Sequence, residues 1–320
     1  MFMKLQISST GLLIAAGTLA CIATLLGFAG TLWWVFELAT HFRVQYGIAL
    51  GAATLLLLLL RQWRWATVFG LCALVNLVVI APAFWSDHSS LPSSSAPQPT
   101  LRVLLANVNL DNRDPVRIRQ VISDYHPDFV MLLETTPWLL KQLTDLAERY
   151  PHHIAAPRED PFGIALFSRH PFLKADTVYL GSPGLPSITA EFMTSGRHFT
   201  LLGTHPLPPV SAECVQDRND QFAQLATFAR QTHPPLLLLG DLNTSPWSPY
   251  FEQMLTISGL RDSARGRGIF PSWPAGWPLL WVPIDHALFS EGILIQRRET
   301  GPDIGSDHYP VIVDFQVIRS

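Results

Sequence analysis

Three long stretches at the start of the chain carry no charge: 32 positions between Lys4 and Glu37, 17 between Arg43 and Arg61, and 22 between Arg64 and Asp87. At about 1.5 Å of helical rise per residue, the first and third can cross a hydrocarbon core of about 30 Å, and the second, at roughly 25 Å, is marginal. Three transmembrane helices are therefore expected within residues 1–86. The first run is too long for a cleaved leader, and two more apolar segments follow it before any polar domain. Lys4 precedes the first span, and Arg61 and Arg64 lie in the turn between the second and third. The positive-inside bias puts these on the cytoplasmic side, with Glu37, His41, Arg43 and everything after Trp85 on the outer side. The absence of Lys or Arg between Arg64 and Arg102 agrees with translocation there. If the short second segment does not span, the rest of the chain lies inside instead.

Residues 87–99, rich in Ser and Pro, hold too little apolar surface to order themselves and read as a tether. From about Thr100 the pattern changes to short apolar runs separated by polar turns, over a length that suits one large α/β core, residues 100–320. Strands are expected at 101–106, 129–133, 163–168, 188–192, 198–203, 236–239, 284–289 and 311–315. The fourth and fifth form a hairpin turning at Ser195-Gly196-Arg197. Helical spacing is found at 116–125, 138–150, 220–231 and 251–257, and 270–283 is a loop rich in Trp and Pro. That loop can wall a cleft, pack on the sheet or meet a membrane surface.

Cys21 and Cys72 lie in the apolar spans, which leaves Cys214 as the only thiol after Thr100 and excludes a disulfide framework. With no second thiol near it, Cys214 reads as an ordinary surface or half-buried residue. From Thr100 onward 18 Lys and Arg face 23 Asp and Glu, a formal charge of −5. No basic footprint for duplex DNA is present, and the local cluster Arg261, Arg265 and Arg267 reads as a solvated loop.

The chemistry sits where apolar runs end. Leu236–Leu239 leads into Gly240-Asp241-Leu242-Asn243, and Ser306-Asp307-His308 precedes the last strand. The first reads as a buried strand delivering an acid and an amide to the rim of a sheet, and the second supplies a carboxylate for a hard cation and an imidazole that can take a proton, together a set suited to metal-assisted hydrolysis. The other runs deliver Asn107, Glu134, His205 and Asp285 in the same manner. Taken singly, each has a plainer reading: Glu134 as a cap of the helix near Pro137, His205 as a loop residue, Asp285 as a buried hydrogen-bonded acid. Arg218 and Gln221 could face the cleft, although such residues are usually solvated, and His152, His153 and His286 match no position in the pattern.

In order, Asn107, Glu134, His205, Asp241 with Asn243, Asp285, and Asp307 with His308 resemble the endonuclease/exonuclease/phosphatase superfamily over residues 100–320. That family includes deoxyribonucleases, sphingomyelinases and inositol-polyphosphate phosphatases. The resemblance implies a four-layer α/β sandwich, with two packed, mostly antiparallel sheets between outer helices. It also implies Asn107, Glu134 and Asp307 at a metal, with Mg²⁺ or Mn²⁺ as cofactor. His205, Asp241, Asn243, Asp285 and His308 would be catalytic: Asp241 orients or deprotonates water, Asn243 binds a phosphoryl oxygen and His308, oriented by Asp285, contacts phosphate or transfers a proton. Two positions depart from the pattern: Asn109 stands where some members have an acid, and Pro283 where others have Arg. Carboxylate and amide oxygens suit a hard cation, whereas zinc would ask for more His or Cys.

The expected activity is that of a membrane-anchored phosphodiesterase or nuclease in the inner membrane, with its catalytic domain on the outer, periplasmic side. Its substrate would be nucleic acid or a phospholipid head group, its surroundings a lipid bilayer, and no protein partner is indicated. A phospholipid or inositide phosphoesterase, a cytoplasmic-facing enzyme and a catalytically spent membrane scaffold are the alternatives.

Overall fold

The computed structural model describes residues 8–85, 99–233 and 235–318, and most of the expected tether lies outside them. The chain divides into two compact units. Residues up to Pro82 with Trp247–Pro249 form the first, and Ala83–Pro246 with Tyr250–Ser320 the second.

The first unit is helical: α1 (Ser9–Leu26), α2 (Trp34–Leu38), α3 (Arg43–Leu59) and α4 (Trp63–Ile80). With their flanking turns they make three helices long and apolar enough to cross a membrane, Ser9–Ala29, Trp34–Leu59 and Trp63–Ala83. The second reaches 26 residues because α2 and a 3₁₀ turn extend α3 backward past Glu37, His41 and Arg43. These three residues, expected at the outer side between spans, are buried. Arg43 donates to the Thr24 carbonyl at 2.8 Å, and Asn76 Nδ2 donates to Thr24 Oγ1 at 2.8 Å. Polar groups satisfied across helices in this way supply directional contacts that lipid-like side chains cannot.

The second unit is a sandwich of two six-stranded sheets. The first sheet comprises β1 (Leu101–Asn107), β2 (Phe129–Leu133), β3 (His152–Ala156), β4 (Ile164–Ser168), β11 (Ile293–Thr300) and β12 (Val311–Val317), in the order β11-β12-β1-β2-β4-β3. The second comprises β5 (Lys174–Tyr179), β6 (Pro186–Thr194), β7 (Arg197–Thr204), β8 (Leu236–Asp241), β9 (Arg261–Asp262) and β10 (Asp285–Phe289), in the order β5-β6-β7-β8-β10-β9. Each is antiparallel except for one central parallel pair, β1–β2 and β7–β8. The crossovers of these pairs are the helices α5 (Pro115–Tyr125) and α8 (Ala212–Gln231).

Alternation of side chains explains the four layers. Val103, Leu105, Phe129, Met131 and Leu133 face Ile188, Phe192, Leu201, Leu237 and Leu239 between the sheets. Leu104, Ala106, Val130 and Leu132 point outward onto α5, α6 (Pro137–Gln142) and α7 (Leu146–Arg149). Leu202, Leu236, Leu238 and Leu288 pack on α8 and α9 (Pro249–Ser258). Central strands buried on both faces have no polar alternation, which is why they appear in the sequence as unbroken aliphatic runs.

Several elements differ from expectation. The helix expected at 138–150 is broken into α6 and α7 around Leu143. The cap of α6 is Thr136, whose side chain accepts from the Leu139 N–H, so Glu134 is not the cap. Helix α8 starts eight residues before the expected 220, on an N-cap at Ser211, and places half-buried Cys214 in its first turn. The β6–β7 hairpin turns on two residues, Ser195 and Gly196, both with positive φ, as a two-residue turn matching strand twist requires. Strands β3, β5, β9 and β11 were not expected; all are peripheral, with polar or charged residues that mask the apolar signal.

At the foot of the first sheet, Asp128 accepts the Arg102 N–H at 2.8 Å and pairs with His170 Nε2 at 3.1 Å. Burial would raise its pKa, but the hydrogen bonds from His170 and the Arg102 amide outweigh it and hold the carboxyl below its ordinary value. A depressed folded pKa stabilises the fold above the unfolded value and loses that contribution as pH falls through the folded one. Asp128→Asn is expected to cost about 1–3 kcal/mol near neutral pH. Thermal melting of the detergent-solubilised full chain checks this: the gap from wild type should narrow once the pH drops below about 4.

Candidate active site

Strand register brings the candidate residues to one rim. Thr204 pairs with Gly240 in the parallel β7–β8 ladder, so His205 and Asp241 are neighbours. Asp241 lies opposite Asp285 across the antiparallel β8–β10 ladder. In the other sheet Asn107 pairs with Leu133, which sets Glu134 beside it. Leu105 pairs with Val311, and Ser306 Oγ donates to the Asn107 carbonyl at 2.8 Å, which returns Asp307 and His308 to the same end.

Gly240 is fixed by this approach. A Cβ there would lie 2.4 Å from the Thr204 carbonyl oxygen, so any side chain must push β7 and β8 apart. Three non-glycine residues around the rim, Asn109, Glu134 and Asn243, have positive φ of 62°, 59° and 51°. Strained backbone of this kind persists where surrounding contacts over-determine it and concentrates at functional sites.

All eight candidate residues join one polar network. Asn107 Nδ2 donates to Glu134 Oε1 at 2.9 Å and to Asp241 Oδ2 at 3.1 Å. The other Glu134 oxygen accepts the Leu110 N–H at 2.8 Å. Asp241 Oδ1 accepts the Asn243 N–H at 2.9 Å, and Asp241 Oδ2 lies 3.5 Å from His205 Nε2 and 3.6 Å from His308 Nε2. His308 Nδ1 donates to Asp285 Oδ2 at 2.8 Å. Asn243 Nδ2 donates to the Pro206 carbonyl at 3.0 Å and lies 3.3 Å from His205 Nε2. Asp307 accepts from Asn109 Nδ2 at 2.6 Å and Trp273 Nε1 at 3.1 Å.

Burial and charge act in opposition here. Burial favours a neutral Asp241, but the His308 charge, the His205 hydrogen bond and the Asn243 amide keep its carboxyl well below the usual range. Burial would likewise lower the His308 pKa, yet the charges of Asp285 and Asp241 push it up to about 10. His205 is raised against its burial by the hydrogen bond to Asp241. Asp285, His308 and Asp241 thus form a chain in which one imidazole sits between two carboxylates, 2.8 Å from one and 3.6 Å from the other.

Among the described residues, Asp241, Asp285 and His308 are the group whose ligand-type atoms all lie within 4.8 Å of one another, a set that could hold a metal ion. His308 Nδ1 is taken up by Asp285 at 2.8 Å, which leaves Nε2, 3.6 Å from Asp241, as the nitrogen that could face a cation or a phosphate. Glu134 and Asp307 offer carboxylate oxygens, the ligands Mg²⁺ or Mn²⁺ prefers, whereas Asn107 turns its Nδ2 to Glu134 and Asp241 and its Oδ1 accepts the Asn109 N–H at 3.0 Å, so only that oxygen could serve a cation.

The chain belongs to the endonuclease/exonuclease/phosphatase family. Residues 104–308 match that family's model, and its members are generally hydrolases. The human Nocturnin catalytic domain is 19% identical with a TM-score of 0.55, covering 69% of this chain and 95% of its own. Zebrafish (D. rerio) TDP2 complexed with single-strand DNA product is 16% identical with a TM-score of 0.56, covering 68% and 99%. Sphingomyelinase C from Streptomyces griseocarneus is 20% identical with a TM-score of 0.50, covering 68% and 99%. At these identities the structures bear on the fold alone. No curated protein sequence matches the chain.

The network also contains residues the sequence did not single out. Ser306 ties Asn107 to the His308 amide, which donates to Ser306 Oγ at 3.0 Å. Behind Asp285, buried Arg298 donates to the Asp285 carbonyl at 2.8 Å and lies 3.6 Å from Asp262. Arg298 sits on β11, a strand the sequence hid, so nothing flagged it. His286 points away from the site to the Thr244 carbonyl at 2.8 Å, and burial lowers its pKa. Arg218 and Gln221 are fully buried rather than solvated, with Gln221 Nε2 donating to Thr204 Oγ1 at 3.3 Å.

Gly240→Ala is expected to destabilise the fold by about 1–3 kcal/mol through overpacking. It should also reduce any turnover more than an equally destabilising substitution at Ala226, because it separates His205 from Asp241. Parallel melting curves and activity of the two variants check this.

Proposed function

We propose that the chain is a membrane-anchored phosphoester hydrolase of phosphodiesterase or nuclease type, in which water attacks phosphorus with divalent-metal assistance. The observation that carries the reading is the closed network at one rim, in which an ionised Asp241 is held between two imidazoles, beside carboxylate and amide oxygens. Residues 1–86 serve as anchor, 87–99 as tether and 100–320 as the catalytic domain.

Asn107, Glu134 and Asp307 would hold Mg²⁺ or Mn²⁺, which when bound neutralises charge developing on the phosphoryl oxygens. Asp241 accepts hydrogen bonds on both oxygens and keeps its charge, so it orients the attacking water and draws its proton. Asn243, with its left-handed backbone and its amide beside His205, binds a non-bridging oxygen. His308, held in place by Asp285, donates a proton to the leaving oxygen, and His205 supports the charge on Asp241. The TDP2–DNA and sphingomyelinase C neighbours support a phosphodiester substrate carried either by nucleic acid or by a phospholipid head group.

The full chain should cleave such a substrate with Mg²⁺ or Mn²⁺ and lose turnover with chelator. Asp241→Ala and His308→Ala should each lower kcat by about 10²-fold or more. Nicking of supercoiled plasmid beside head-group release from phospholipid vesicles checks this, and turnover that survives both substitutions would refute the site. Protease added to spheroplasts, whose outer membrane has been opened, should cut the 87–99 tether if the catalytic domain faces the periplasm; resistance there with cleavage only after lysis would place it inside.

A further inference from the structure

Two uncharged loops flank the candidate site. No charged residue occurs from Gly268 to Ile284 or from Pro206 to Ala212. The first carries Trp277, Leu279 and Leu280 at its tip, 68%, 86% and 47% exposed, and the second carries Val210 at 70%. Isolated exposed apolar residues are ordinary on any surface, but these are grouped on loops that hold no compensating charge.

Both loops are anchored to the site itself. Ala275 N–H donates to the Asp307 carbonyl at 2.6 Å, and Trp273 Nε1 to the Asp307 carboxylate. Gly276 N–H donates to Tyr309 Oη at 3.1 Å, and Trp273 and Val282 exchange backbone hydrogen bonds at 3.1 and 2.7 Å. The base of the Trp/Pro loop is thus pinned while its tip is left in solvent. The other loop is held through Pro206, whose carbonyl accepts from Asn243.

We propose that these tips form an interfacial docking surface for a lipid bilayer. The chain carries three helices apolar enough to cross a membrane, so a bilayer is the surface held at high local concentration beside this domain. Trp and Leu without charge favour the headgroup boundary. The net negative charge after Thr100 disfavours anionic lipid, so the matching surface is zwitterionic. Because the tips are tied to Asp307 and Asn243, docking presents the site to an ester at the interface. This consequence rests on the phosphoesterase reading; the docking itself does not.

The test uses the full chain in phosphatidylcholine nanodiscs with Cys21→Ala, Cys72→Ala and Cys214→Ser. Spin labels are placed at Leu279→Cys, Val210→Cys and, as a control on the β6–β7 hairpin, Met193→Cys. The expected result is that labels at 279 and 210 collide with oxygen in preference to a soluble nickel chelate, while the label at 193 shows the reverse. Free access of the chelate to 279 overturns the inference. Shielding of 279 from both reagents also overturns it, because it indicates a protein contact or a second copy. Independently, Trp277→Ser/Leu279→Ser/Leu280→Ser should lower head-group release from disc lipid by about tenfold while hydrolysis of soluble bis(p-nitrophenyl) phosphate stays within about twofold. An equal loss on both overturns the coupling of docking to catalysis. A wild type inert towards every phosphoester would refute the function, and the labels would still decide the docking.

Discussion

The site depends on keeping a charge on the fully buried carboxylate of Asp241. Removing such a group from water is expensive unless every lone pair is answered. Here the Asn243 amide, the Asn107 side chain and the two imidazoles of His205 and His308 surround it. Each of these partners comes from a different strand end or loop, so the carboxylate ties both sheets together at one rim. The same compensation keeps Asp241 ionised next to a protonated His308.

The sandwich makes this arrangement affordable. Strands buried on both faces are held rigidly by the core, and rigid strand ends place side chains more reliably than loops alone. The left-handed conformations at Asn109, Glu134 and Asn243 show where local backbone preference yields to the network. Arg298 extends the support one layer back, bonding the Asp285 carbonyl from a neighbouring sheet. The charged groups that orient His308 are themselves oriented.

The helical unit obeys a different rule. In an apolar bundle the hydrophobic effect does not choose partners between helices, and Arg43, Thr24 and Asn76 supply that choice through buried hydrogen bonds. A polar group inside such a bundle is therefore informative, because its neighbours must satisfy it. Glu37, His41 and Arg43 looked like a loop in the sequence for this reason: charge count alone cannot distinguish a solvated turn from a satisfied polar interior.

Short apolar runs bounded by polar turns were enough to locate the strands β1, β2, β4, β6, β7, β8, β10 and β12, and longer ones the apolar helices, because burial on both faces leaves little polar alternation. The peripheral strands β3, β5, β9 and β11 were hidden, since an edge or half-exposed strand carries polar or charged residues that mask its apolar signal. The break between α6 and α7 and the early start of α8 were likewise settled by packing and capping rather than by periodicity. The sequence by itself determined which residue types stand at strand ends and in what order. Only the tertiary structure decided that they converge, because register between β1, β2, β7, β8, β10 and β12 is set by long-range ladders and a buried carboxylate, and neither leaves a trace in local pattern.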